Sequence, residues 1–153
     1  MDQIMTYEVV QYDPKHFEAL AFNKALFAIQ VGKPESDLAG SYVGKGPAFT
    51  GLIDGRPVCI AGVCILWPGC GEAWAILSEE GRMHGLFVHR QVMTRLPEIA
   101  REYKLIRIQA AAEKDNKVAL SWLMALGFEY EGEMPFYISG KHFIRLARIF
   151  PGV

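Results

Sequence analysis

Residues 72–128 constrain this chain more than any other stretch, because two periodicities alternate along them. Ala73-Trp74-Ala75-Ile76-Leu77 is a continuous apolar run, too short for a helix by itself, and Ser78-Glu79-Glu80-Gly81 stops it. From Gly85 to Tyr103, the residues Leu86, Val88, Val92, Met93, Leu96, Ile99 and Ala100 recur at three- and four-residue steps, the spacing of one helical face. Leu105-Ile106-Arg107-Ile108-Gln109-Ala110 is β-branched and bounded by charge, so it reads as a strand. Asp115-Asn116 offers a cap for a helix that carries Val118, Ala119, Trp122, Leu123 and Leu126. Gly127 stops that helix and Phe128 opens the next strand. A strand–helix–strand unit of this kind implies a right-handed crossover and a parallel or mixed sheet.

The flanks extend that sheet. Thr6 to Tyr12 reads as a first strand, and Asp13-Pro14 starts a helix with Asp as cap and Pro at the first helical position. Phe17, Leu20, Ala21, Ala25, Leu26 and Ile29 continue it at helical spacing until Gly32-Lys33-Pro34. Glu35 to Pro47 has no period and reads as a long loop of the kind that borders a site. Asp54-Gly55 between two apolar runs, Ala48–Ile53 and Arg56–Trp67, is a type I′ hairpin signal, since both central residues need positive φ. Pro68-Gly69-Cys70-Gly71 is a second turn. Phe128–Glu133 and His142–Ile149 pair about the turn Ile138-Ser139-Gly140-Lys141. The order is β-α-β-β-β-α-β-α-β-β: an α+β (mixed α/β) fold with a mixed sheet of about seven strands and helices on both faces. A length of 153 residues fits a single domain, 1–153, with a core that needs no metal or disulfide.

Composition narrows the function. A net charge of -1 gives no basic footprint, so nucleic acid is not an expected partner. The longest apolar run, Val58 to Trp67, is about half the length of a membrane span, so no membrane is expected either. The N-terminus has no secretory pattern. Cys59 and Cys64 are five residues apart on one strand and face opposite sides, so they do not pair. With Cys70 they read as reduced thiols, which suggests a cytoplasmic protein. His16, His84, His89 and His142 have no metal-ligand spacing, and no metal is expected. The apolar fraction of 51% leaves room for a homodimer interface or a ligand slot.

The layout resembles the GNAT superfamily of acyl-CoA-dependent N-acyltransferases. In that family a fourth strand ends in a Gln/Arg-x-x-Gly-x-Gly/Ala turn that opens a helix; here Arg82-Met83-His84-Gly85-Leu86-Phe87 stands there. Arg82 and Gly85 fit, and Phe87 replaces a small residue. The later family pattern Asn-x-x-Ala-x-x-x-Tyr-x-x-x-Gly-Phe is matched at Asn116, Ala119, Gly127 and Phe128, with Leu123 at the Tyr position. The chain is also similar in size and hairpins to small GNAT-like proteins encoded by bacteriophages, some of them virion components.

The resemblance implies acetyl-CoA as donor and an amine as acceptor. A helix N-terminus favours anions, so backbone N–H groups from Gly81 through Gly85, Leu86 and Phe87 would cradle the diphosphate, with Arg82 adding a charged contact. The family's fourth and fifth strands splay apart around the pantetheine arm; by analogy Ile76 and Leu77 would face it, and Asn116 would lie near it, unless Asn116 only caps its helix. Glu72 stands where the family often places a general base. Leu123 cannot protonate a departing thiolate, which leaves Tyr137 or Tyr130 as acid.

Two expectations follow from the resemblance. One is an N-acetyltransferase that moves an acetyl group from acetyl-CoA to a primary amine by direct transfer. The other is a catalytically inactive GNAT-like structural or interaction protein, in the cytoplasm or in a phage particle. An open cleft between strands four and five favours the first; a cleft filled by a side chain such as Phe87 or Trp74 favours the second.

Overall fold

The computed structural model describes residues 4–21, 27–32 and 44–152. The chain runs through β1 (Tyr7–Gln11), α1 (Pro14–Ala21), β2 (Phe27–Val31), β3 (Ala48–Ile53), β4 (Arg56–Trp67) and β5 (Cys70–Ser78). It continues through α2 (Glu79–Met83), α3 (Gly85–Glu102), β6 (Arg107–Glu113), α4 (Lys117–Ala125), β7 (Glu129–Ile138) and β8 (Lys141–Ile149). Seven strands lie in the order β1-β3-β4-β5-β6-β8-β7, and the eighth, β2, pairs with β5 off that path. No helix among the described residues is long and apolar enough to cross a membrane.

The meander β3-β4-β5 is antiparallel, and its first hairpin turns at Asp54 and Gly55 with φ of 49° and 79°, as the Asp-Gly pair dictates. The second predicted hairpin turns at Ser139 and Gly140 in the same way, with φ of 51° and 72°. β5 and β6 are parallel, joined through α2 and α3.

Alternation on the strands separates two apolar layers. Ile108, Ala110 and Ala112 of β6 and Leu77 and Ala75 of β5 join Val88, Leu96, Ile99, Ala119 and Leu123 of α3 and α4 in the main core. Trp74 and Ile76 of β5 face the other way and pack with Ile60, Cys64 and Leu20 of α1. Cys59 belongs to the first layer and Cys64 to the second, as their spacing predicts, and all three cysteines are buried and outside any disulfide.

Two expectations about local structure change. The apolar steps that reach Ile29 predict a helix, but Phe27–Val31 is a strand; Ala25 and Leu26 lie outside the described residues. Ile29 and Val31 are buried while Gln30 between them is half-buried, the alternation of a strand, although Ile29 also stands three and four residues after Leu26 and Ala25. This adds the eighth strand. The strand predicted over 105–110 runs instead from Arg107 to Glu113: Leu105 is wholly buried, but its N–H closes the end of α3 on the Ala100 carbonyl, and the Ile106 N–H donates to the Gly69 carbonyl in the β4–β5 turn. The predicted loop 35–47 is described only from Gly44 onward, as a turn whose Lys45 and Pro47 carbonyls accept from Ile65 and Val63.

Candidate functional site

β5 and β6 hold the centre of the molecule together over only a short span. Their ladder pairs Cys70, Glu72 and the intervening Gly71 with Arg107, Gln109 and Ile108, and there it ends. Beyond that point the two strands part, and β2 enters between them. Val31, Gln30, Ile29 and Phe27 lie opposite Ala75, Ile76, Leu77 and Ser78 in antiparallel register. At the exit of β2, the Gly32 N–H donates to the Ala111 carbonyl of β6 at 2.6 Å, so β2 bridges both walls of the splay. Val31 is 1% exposed and Ile29 6% exposed. Ile76 and Leu77 pair with Ile60 and Cys59 of β4 on their other side, so both edges of β5 are occupied there.

At the end of β5 the chain turns directly into helix. Ser78 caps α2: its Oγ accepts from the Gly81 N–H at 3.1 Å and donates to the Val58 carbonyl at 3.2 Å. Gly81 is required, because a Cβ would sit 2.3 Å from the Val58 carbonyl oxygen. The Gly81 N–H is used by Ser78 and the His84 N–H bonds to the Glu80 carbonyl at 3.2 Å, so of the expected cradle only Gly85, Leu86 and Phe87 are left to serve it. Arg82 is paired with Glu79 at 2.8 Å, and Glu80 with Arg56 at 2.7 Å. Two carboxylates thus sit in the first turn of α2.

Gly85, Leu86 and Phe87 form the first turn of α3, which begins at His84 without a side-chain cap. Its surroundings are apolar. The Phe87 ring stacks on Tyr7 with centroids 4.6 Å apart, and the Tyr7 hydroxyl meets His84 Nδ1 at 3.0 Å. Leu86 and Met83 are exposed beside them. Asn116 caps α4, accepting from the Ala119 N–H at 3.1 Å.

The two candidate catalytic side chains meet through a third residue. Glu72 is buried on the α1 side of β5, and its Oε1 accepts from Arg145 Nη1 at 2.6 Å and from Gln109 Nε2 at 3.2 Å. Arg145 Nη2 donates to the Tyr137 hydroxyl at 3.3 Å. Tyr137 reaches that position because β7 breaks register between Met134 and Ile138, where Phe136 takes a φ of 53°. The network continues the other way: Arg107 Nε donates to Gln109 Oε1 at 3.0 Å, and its two terminal nitrogens clasp both oxygens of Glu131. The Arg107 hydrogen bonds hold the Glu131 carboxyl below the usual carboxylate range. Gln109, Arg107, Arg145 and Glu131 are absent from the motif reading. Their signal is the alternation of polar Arg107 and Gln109 with Ile108 and Ala110 on β6, which puts both on the side of the sheet shared with Glu72.

No family model and no curated protein matches this chain in sequence. Its structure does have relatives. Ard1 from Thermoplasma volcanium superposes with a TM-score of 0.72 at 16% identity over 94% of this chain and 97% of that one. An acetyltransferase of the GNAT family from Streptococcus pneumoniae gives 0.71 at 14% identity over 95% and 99%. The chain has the GNAT fold. A third GNAT-fold neighbour, yncA from Salmonella typhimurium, gives 0.71 at 15% identity over 96% and 95%, and was solved with its cofactor acetyl-CoA.

The resemblance implies a place for an acyl-CoA. The resemblance puts the pantetheine arm on the free edge of β5 near Ile76 and Leu77; in this arrangement β2 holds that edge. It puts the diphosphate against open N–H groups near Arg82; here an acidic, capped helical turn and the Phe87–Tyr7 stack stand there. It puts an acid at Leu123, which is 2% exposed within the core. At these positions the chain departs from the contacts that the resemblance implies, while Gly85, Leu86 and Phe87 still open α3 without a side-chain cap.

Proposed function

We propose that this chain is a GNAT-fold binding protein rather than a working acetyltransferase, with its acyl-CoA cleft filled by its own strand β2. The observation that carries this reading is the antiparallel register of Phe27–Val31 on Ala75–Ser78, in the gap that β5 and β6 leave. Main-chain pairing along that edge is what a pantetheine arm would need, and a strand of the same chain competes for it at very high effective concentration. The side chains agree. Glu72 is engaged by Arg145 and Gln109, Arg82 by Glu79, and Asn116 by its helix. The turn that would face a diphosphate instead exposes Met83 and Leu86 beside Tyr7, a surface suited to a protein contact.

A second reading keeps the chemistry. β5 and β6 still part after Glu72 and Gln109, and β2 is held there by one short ladder. With β2 withdrawn, the cleft would be open to acetyl-CoA, the ligand of one structural neighbour, for transfer to a primary amine.

Calorimetric titration with acetyl-CoA separates the readings, using the wild-type chain, Val31→Asp and Arg82→Glu. No heat at millimolar acetyl-CoA from the wild type or from folded Val31→Asp supports the binding protein. Micromolar binding by the wild type, weakened tenfold or more by Arg82→Glu, overturns it. Binding by Val31→Asp alone would support β2 as the element that blocks the cleft, and with it the second reading, in which the cleft opens when β2 leaves.

A further inference from the structure

The end of β6 borders a cavity of about 260 Å³, between the exit of β2, the start of α4 and the turn from β7 to β8. Phe143 and Ile138 give it an apolar side, and Gln30 lines it from β2. Two opposite charges line the same cavity: Glu113, the last residue of β6, and Lys141, the first of β8. Glu113 Oε1 and Lys141 Nζ are 3.7 Å apart, longer than a hydrogen bond. Among the described residues, neither makes another ion pair. Their side chains are 34% and 61% exposed, so the pair contributes little to the fold and can exchange partners. Asn116 adds donors. Its Oδ1 accepts from the Ala119 N–H, which leaves the NH2 group of the same amide for the cavity.

The two charges choose the ligand. A lone anion on Lys141 would lie beside Glu113, and a lone cation on Glu113 beside Lys141, so each would meet a like charge. A ligand that carries both charges satisfies both residues. The apolar side calls for a hydrocarbon group on the same ligand. The volume exceeds that of an engineered cavity of about 150 Å³ that takes benzene, which leaves room for a branched side chain along with the charged groups. We propose that this cavity binds a free α-amino acid with an apolar side chain. Its ammonium meets Glu113, its carboxylate meets Lys141 and the Asn116 amide, and its side chain lies over Phe143 and Ile138. The proposal rests on the first reading of the cleft, because Gln30 lines the cavity only with β2 in place.

The full chain is titrated at pH 7 with L-leucine, with leucinamide, which lacks the carboxylate, and with 4-methylpentanoate, which lacks the ammonium. Amide NMR shifts of Gln30, Glu113 and Lys141 are followed. Glu113→Gln and Lys141→Met, both at partly exposed positions, are titrated alongside. The expected result is saturable leucine binding, at least tenfold tighter than that of either analogue. Lys141→Met should then bind leucine and leucinamide alike, and Glu113→Gln should bind leucine and 4-methylpentanoate alike. No shifts at about 20 mM leucine, analogues that bind as well as leucine, or variants that keep the wild-type discrimination would overturn the site. Hydrogen exchange at 75–78 separates the two failures. Slow exchange with a failed titration removes this site and leaves β2 on β5; fast exchange in the wild type removes β2 and the cavity wall together.

Discussion

Val31 lies opposite Ala75, on the stretch of β5 that β6 has left. This single pairing converts an open splay into a closed sheet, and it makes β2 measurable. The amides of residues 75–78 should exchange slowly although β6 does not reach them. Val31→Asp puts an unpaired carboxylate at a position that is 1% exposed, a cost of several kcal/mol where β2 docks. The expected outcome is hydrogen exchange at 75–78 faster by at least about tenfold, with exchange in β7 and β8 unchanged. Equal rates at 75–78 in wild type and variant would mean that β2 does not protect this edge.

Glu72 and Arg145 form the buried centre of the polar network, 5% exposed for the carboxylate residue and joined at 2.6 Å. Removing one partner leaves the other buried and uncompensated. Glu72→Gln or Arg145→Met should each lower stability by about 3 kcal/mol in urea unfolding. The double variant Glu72→Leu/Arg145→Met removes both charges and should lose much less than the sum. Strict additivity of the two single losses would refute the coupling, and with it the role of Arg145 as the group that engages Glu72.

Much of the architecture is legible in the residues. Asp54-Gly55 and Ser139-Gly140 fix two hairpins through positive φ, Asn116 and Gly127 bound α4, and the three- and four-step face of α3 needs no tertiary information. β2 is not legible, because Ile29 also completes a helical step from Ala25 and Leu26, and its strand partner, the edge of β5, exists only after the fold forms. The closed turn at Ser78–His84 is hidden for a related reason. A Ser, two acidic residues and a Gly read equally as a strand stop and as a capped helix, and the Val58 carbonyl that demands Gly81 is more than twenty positions away. The polar network needed the cross-strand neighbours of Glu72, which come from β6 and β8.

The outer end of that network should report pH. Arg107 holds the Glu131 carboxyl below its ordinary value, chiefly by hydrogen bonding. A depressed folded pKa stabilises the fold at pH values above the unfolded carboxylate's, and that contribution disappears as pH falls through the folded value. Both side chains are about a third exposed, so the effect is small and weakened by salt. Urea midpoints taken from about pH 6 to pH 3 should fall less steeply in Glu131→Gln than in the wild type. Parallel slopes would show that the pair does not form in solution.

Three thiols in a 153-residue chain invite a test for reactivity. Burial pushes the Cys59 thiol up to about 12 and raises that of Cys70 despite the nearby Arg107. Cys64 is buried as well. The thiolate is the nucleophile, so burial removes both access and the reactive form. The native protein should therefore resist iodoacetamide at pH 8, while all three cysteines alkylate in concentrated urea. Labelling in the native state should proceed only through opening, so a variant that loosens the core, such as Glu72→Gln, should label faster, by about tenfold for each 1.4 kcal/mol of stability lost. One equivalent of rapid labelling in the native wild type would contradict the packing described for β4 and β5.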